Sequence, residues 1–259
     1  MKRVAYGFQA SPQNIDGTAA VQEVNAKALA CNVKPTAPQV MATIRAGSNM
    51  DFMWTKWLPS HQGPMITWMA PYSGEISQVN VNKLEFFKIH EAGLFEDGTW
   101  ATDRMIANKG VWNTTIPHDI KPGKYVVRHE LIALHFATAH SNYSRIPGGR
   151  IAPQFYPSCY NVEVSGTGSA TPKGMTLPGA YKAKEPGFIF DIFVGNKNYP
   201  IPGPPVYKPS ALVLKLTPNP IKIISVTGDL VKDREYLKSM AEELKRWEQV
   251  TDYFQSIGG

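Results

Sequence analysis

Lys124-Tyr125-Val126-Val127-Arg128-His129-Glu130-Leu131-Ile132-Ala133-Leu134 is the longest strand-like stretch of the chain. Side chains alternate across a strand, so Tyr125, Val127, His129 and Leu131 share one face and Val126, Arg128, Glu130 and Ile132 the other. Shorter stretches of the same kind surround it. Met50–Trp54, Met65–Met69 and Leu84–Ile89 are rich in aromatic and β-compatible residues and bounded by Pro, Gly, Ser or Asn. Val111–Ile116 alternates until Pro117 stops it, and Phe155–Val164 and Phe188–Val194 complete the set. About seven short strands with frequent turn signals predict an all-β, antiparallel sandwich.

Connections such as Ser141–Ala152, with its Gly148-Gly149 pair, are long enough to be functional surface loops. The stretch Tyr199-Pro200-Ile201-Pro202-Gly203-Pro204-Pro205-Val206-Tyr207 is held extended by its prolines. Such a support is expected to present Tyr207 at a surface. Beyond residue 209 the pattern changes. Leu237, Met240, Leu244, Trp247, Val250 and Phe254 recur at three- and four-residue spacings, which predicts an amphipathic helix. The expected organisation is a sandwich over residues 1–209 and a helical extension over 210–259.

Among 259 residues, 21 glycines and 21 prolines favour short strands and structured turns. The net charge of +6 is spread along the chain without a basic run, which argues against a nucleic-acid partner. No stretch approaches the roughly 20 apolar residues of a membrane span, so no membrane partner is expected. No apolar segment follows the basic start Met1-Lys2-Arg3, so no signal peptide is visible. Two sequons, at Asn113 and Asn142, would suit a secreted protein. Cys31 and Cys159 are the only cysteines; spacing leaves open one disulfide or two buried thiols. A bridge would close a loop worth roughly 4–5 kcal/mol and would imply an oxidising compartment.

Six histidines are present, His61, His90, His118, His129, His135 and His140, and no two show the spacing of a helical zinc site. Composition alone therefore gives no metal site. A set of collinear motifs does. Trp57-Leu58-Pro59-Ser60-His61-Gln62-Gly63-Pro64-Met65 opens the series, followed by Leu84-Glu85-Phe86-Phe87-Lys88-Ile89 and Trp100-Ala101-Thr102-Asp103. Tyr125 through His135, Pro153-Gln154-Phe155-Tyr156-Pro157-Ser158-Cys159, Pro178-Gly179-Ala180-Tyr181 and Ile201-Pro202-Gly203-Pro204-Pro205 continue it. Over roughly residues 25–207 the chain resembles the auxiliary activity family nine lytic polysaccharide monooxygenases.

The resemblance implies an immunoglobulin-like β-sandwich with one copper ion on a flat face. The ion would be held by an amino-terminal histidine and by His61, with Tyr156 axial. His135 and Gln154 match the pair that positions the oxygen species, and Cys31 and Cys159 a family disulfide. Tyr207 matches an aromatic that stacks on glucan. His129 reads as structural, and His90, His118 and His140 as surface residues. The implied activity is oxidative cleavage of cellulose or a related β-glucan at C1 or C4. It implies a secreted monomer that takes electrons from an external donor. Imidazole and amine nitrogens suit copper in both of its redox states.

No histidine precedes His61. Three readings are open: a chain lacking its leader and first strand, a variant without the histidine, or a replacement ligand such as His140. With the start as written, copper binding would be weakened or lost. A non-catalytic polysaccharide-binding protein on the same fold is then the competing function, and a copper-handling surface protein a third.

Overall fold

The computed structural model describes residues 20–38, 40–138 and 151–210. Its elements, in chain order, are β1 (Ala42–Arg45), β2 (Asn49–Met53), β3 (Met65–Tyr72) and β4 (Phe87–Ala92). They continue with the helix α1 (Ala101–Ala107), β5 (Val111–Thr115), β6 (Gly123–Ala133) and β7 (Gln154–Ser165). The strand expected at Lys124–Leu134 is β6. It lies between β7 and β3 in a five-stranded sheet ordered β1-β7-β6-β3-β4, while β2 and β5 form a second sheet. Every pairing is antiparallel except β1 with β7, which is parallel.

The two faces of β6 meet different partners, as the alternation requires. Tyr125 and Val127 pack with Met69, Phe87, Phe52 and Ile116 in the layer between the sheets. Val126 and Ile132 pack with Trp68, Phe155, Phe188 and Leu29 under the connecting loops. Each such apolar side chain contributes about 1.5–3 kcal/mol when fully buried.

Arg128 and Glu130 also lie on the loop-covered face, both fully buried. Two residues apart on one strand, they point the same way and pair. Arg128 Nη2 donates to Glu130 Oε2 at 2.8 Å and to Leu29 O at 2.8 Å, and its Nε to Ala30 O at 2.8 Å. Trp68 Nε1 and the Tyr181 hydroxyl both donate to Glu130 Oε1. Buried charges survive only when paired and hydrogen-bonded, and here both conditions are met. The same segment is fastened a second time by the Cys31–Cys159 disulfide, the bridge the resemblance implied.

Several expectations need correction. Phe188–Val194 is not a strand: Pro186–Phe188 forms a 3-10 turn and bends follow. Phe188 and Phe190 are buried while Ile189 is exposed, so a docked turn imitates strand alternation without any pairing partner. The strand expected at Leu84–Ile89 starts only at Phe87 and runs on to Ala92, because Phe86 instead bridges to Met175. The strand β1 and the helix α1 were not foreseen. His90 and His118 are half-buried rather than surface residues. His140, Asn142, most of Ser141–Ala152, Met1–Arg3 and the extension from Ala211 onward lie outside the described residues. Within those residues, no helix is long and apolar enough to cross a membrane.

Candidate metal centre

His61 sits in a turn that the sequence closes locally. Its backbone N–H donates to Leu58 O at 2.9 Å, with Pro59 presetting the chain between them. Trp57 Nε1 donates to His61 O at 3.1 Å, fixing the far side of the turn. Ser60 Oγ lies 3.1 Å from His61 Nδ1, which leaves Nε2 as the nitrogen available to a ligand. The next residues fasten the turn to the sandwich. Gln62 Nε2 donates to Asp103 Oδ2 at 2.9 Å, and Gln62 O accepts from Leu134 N at 2.8 Å. Gly63 crosses so close to β6 that a Cβ there would stand 1.8 Å from Ile132 O.

That crossing brings the turn beside the end of β6. The His135 ring lies 4.0 Å from the His61 ring, tilted by 36°, and 3.9 Å from Phe136. Both ring nitrogens of His135 are buried, with no hydrogen-bond partner among the described residues. Burial, then the neighbouring His61, lowers its pKa to about 4, so the imidazole is neutral near pH 7.

Gln154 and Tyr156 start β7 and share a face, two residues apart. The Tyr156 hydroxyl donates to Gln154 Oε1 at 2.7 Å. Its ring stands edge-on to Trp57 at 4.9 Å and lies 6.4 Å from His61. Burial pushes the phenol up to about 12, so it keeps its proton. Four of the five residues singled out for chemistry thus gather at one end of the sandwich: His61, His135, Gln154 and Tyr156.

Tyr207 does not join them. Its backbone N–H donates to Lys88 O, its ring stands against Phe87 and its hydroxyl donates to Asp119 Oδ2 at 2.8 Å. Phe87 belongs to the cross-strand row of Met69, Val127 and Tyr160. That row is about 13 Å along the strands from Tyr156, and Tyr207 a further ~14 Å across them. The proline-rich strap fixes Tyr207 against the sheet edge instead of presenting it beside the cluster.

Trp57 at the site, and an exposed aromatic loop at Phe193, were missed. Trp57 packs against His61 and Tyr156 at once, and an aromatic four residues before the histidine was the available signal. Phe193 is 59% exposed, beside the exposed Val194 and Ile189. Its loop is tied to the one that follows His135, because Thr138 Oγ1 donates to Asp191 Oδ2 at 3.0 Å. Asp191 Oδ1 accepts from Phe193 N at 2.9 Å, and this Asp-centred turn was its sequence signal.

The donor set fits part of a copper centre. His61 offers an imidazole nitrogen, and Tyr156 a phenol already oriented by Gln154. His135 adds an imidazole whose nitrogens have no partner among the described residues. Among the described residues, no three His, Cys, Asp or Glu side chains gather as a metal-holding group. Completing a three-nitrogen set requires donors outside them.

Comparison with known proteins identifies the family. Residues 5–199 match the model of Auxiliary Activity family 9 (formerly GH61). AA9 family lytic polysaccharide monooxygenase B of Geotrichum candidum is 45% identical over 192 residues, covering 74% of this chain and 50% of that protein. The extended catalytic domain of H. jecorina LPMO9A superimposes with a TM-score of 0.69 at 34% identity, over 79% of each chain. A cellulose-active polysaccharide monooxygenase from M. thermophila gives 0.65 at 30% identity, over 81% of this chain and 90% of that one. The chain spans about half the length of the relatives it matches, from 37% to 66% among four from Geotrichum candidum. By family model, sequence identity and fold, the chain belongs to Auxiliary Activity family 9.

Proposed function

We propose that this chain cleaves cellulose or a related β-glucan oxidatively, with one copper ion bound at His61. The carrying observation is the convergence of His61, His135, Gln154 and Tyr156, from three separate chain segments, at one end of the sandwich. Relatives that share the sequence bear the name lytic polysaccharide monooxygenase. Copper, when bound, supplies the one-electron chemistry that activates oxygen or peroxide for hydrogen abstraction from the sugar.

The chain's own residues do the rest. His61 Nε2 would be the ligand nitrogen, its orientation set by Ser60 on the other ring nitrogen and by the Trp57 brace. Tyr156, its phenol still protonated near pH 7, would face the bound ion from the β7 side. Gln154, whose Oε1 accepts from the Tyr156 hydroxyl, would offer its amide NH2 as a hydrogen-bond donor at the site. His135, neutral near pH 7, can accept or donate one hydrogen bond at the same place and limit off-path oxidation.

A crystalline glucan needs a broad surface with an aromatic platform. Phe193, Val194, Ile189 and Leu58 supply exposed apolar side chains from loops tied to the site, and we assign the stacking role to Phe193 in place of Tyr207. The disulfide supports an extracellular location. Asn113, exposed on β5, is the sequon available for glycosylation. Electrons come from an external donor, and the chain acts as a monomer.

The second reading is a polysaccharide-binding protein on the same fold. Incubation of the copper-loaded chain with cellulose and a reductant separates the two. Soluble oxidised oligosaccharides support the enzyme; cellulose binding without them supports the binding protein.

A further inference from the structure

Beneath the metal centre, the layer between the two sheets contains a polar row. Thr67 on β3 is the cross-strand partner of His90 on β4 and of His129 on β6. A bulge in the β3–β4 pairing produces this row: Trp68 pairs with Lys88, yet Thr67 pairs with His90, so Ile89 is the extra residue. Without it, Ile89 would stand opposite Thr67 and His90 would point to the other face.

The second sheet covers the row. Phe52 stacks on His129 at 4.0 Å with planes 9° apart, and Trp112 meets His90 at 5.8 Å. Thr114 Oγ1 lies 3.1 Å from Thr67 Oγ1, which lies 2.9 Å from His129 Nδ1. That accounts for one nitrogen of His129. Its Nε2, His90 Nδ1 and Trp112 Nε1 are all buried and have no hydrogen-bond partner among the described residues. His129 itself is completely buried. Buried polar atoms in native cores are nearly always satisfied, so each of the three calls for a partner.

Donor counting identifies that partner. An indole Nε1–H only donates, and a neutral imidazole has one donor and one acceptor. Burial keeps His129 neutral. With Nδ1–H donating to Thr67 Oγ1, and the Thr67 hydroxyl donating on to Thr114 Oγ1, His129 Nε2 is an acceptor. With the His90 proton on Nε2, the missing group accepts one hydrogen and donates two. We propose that one ordered water molecule is built into this layer, accepting from Trp112 Nε1 and donating to His129 Nε2 and His90 Nδ1. A metal ion between the two imidazoles would meet the positive end of the Trp112 N–H and would bury charge without an anion among its partners.

The water ties β5 to β4 and β6 one step below the row of Met65, Leu131 and Tyr156, about 7 Å along the strands. It therefore helps set how the small sheet sits under the metal centre. The inference is independent of the polysaccharide reading.

An atomic-resolution crystal structure of the copper-free chain, with nitrogen NMR of the histidine rings, tests it. The expected result is one water peak within hydrogen-bond distance of all three nitrogens and His129 protonated at Nδ1. No peak, a peak with a metal's anomalous signal, or rings turned onto protein partners would overturn it. Oxygen-17 relaxation dispersion provides a second measurement by counting long-lived internal waters. Trp112→Phe is expected to lose one such water and to lower Tm by about 2–4 °C. A folded variant with an unchanged count would overturn the proposal; if the variant does not fold, the wild-type structure decides alone.

Discussion

The His61 and His135 rings face each other at 4.0 Å, although one belongs to the turn before β3 and the other to the end of β6. The close crossing of Gly63 over Ile132 O brings them together. Gly63→Ala should therefore disturb the site as well as the fold. A Cβ at 1.8 Å from a carbonyl oxygen must displace the turn, so the variant is expected to lose copper affinity at least tenfold. Copper titration of the folded variant measures this.

The Arg128–Glu130 pair should be worth far more than a surface bridge. Arg128→Met leaves a buried carboxylate with only Trp68 and Tyr181 and frees the Leu29 and Ala30 carbonyls. The expected destabilisation is about 3–5 kcal/mol, because one charge remains unpaired. Denaturant unfolding measures it. A loss below about 1 kcal/mol would show that the segment at Leu29 is held by other contacts.

Acid should weaken the copper-free protein through His129. Burial holds its pKa well below the ordinary 6.5, and His90, half-buried beside Trp112, is shifted the same way. The unfolded chain binds these protons near pH 6.5 while the folded chain does not. Stability is therefore complete above about pH 6.5 and falls below it, by up to about 1.4 kcal/mol per pH unit for His129 alone. His129→Gln should flatten that slope in unfolding experiments run between pH 7 and pH 5.

Phe193 and Tyr207 make opposite predictions. Phe193→Ala removes an exposed ring and should leave Tm unchanged while weakening cellulose binding about fivefold, the equivalent of ~1 kcal/mol. Tyr207→Phe removes the hydrogen bond to the Asp119 carboxylate and should cost about 1.5–3 kcal/mol of stability with binding unchanged. Pull-down isotherms and thermal unfolding of the two variants settle which ring meets the glucan.

Much of this was legible before the structure. The alternation across Tyr125–Ile132 correctly assigned both faces of β6, because a strand buried on both sides carries two independent side-chain patterns. The gathering of His61, His135, Gln154 and Tyr156 followed from collinear motifs. What failed depended on long-range geometry. Phe188–Val194 carries strand periodicity but has no neighbour to pair with. The tether from Tyr207 to Asp119 and the register shift that swings His90 inward leave no local trace. The exposure of Phe193 is a property of the assembled surface, invisible in a run that reads as core.

The most direct test loads the chain with copper(II), counts the bound metal, and assays cellulose with ascorbate by mass spectrometry. One copper per chain and oxidised oligosaccharides are expected, both lost in His61→Ala while the fold persists. Unchanged products in that variant, or glucan binding without oxidised products in the wild type, would contradict the account.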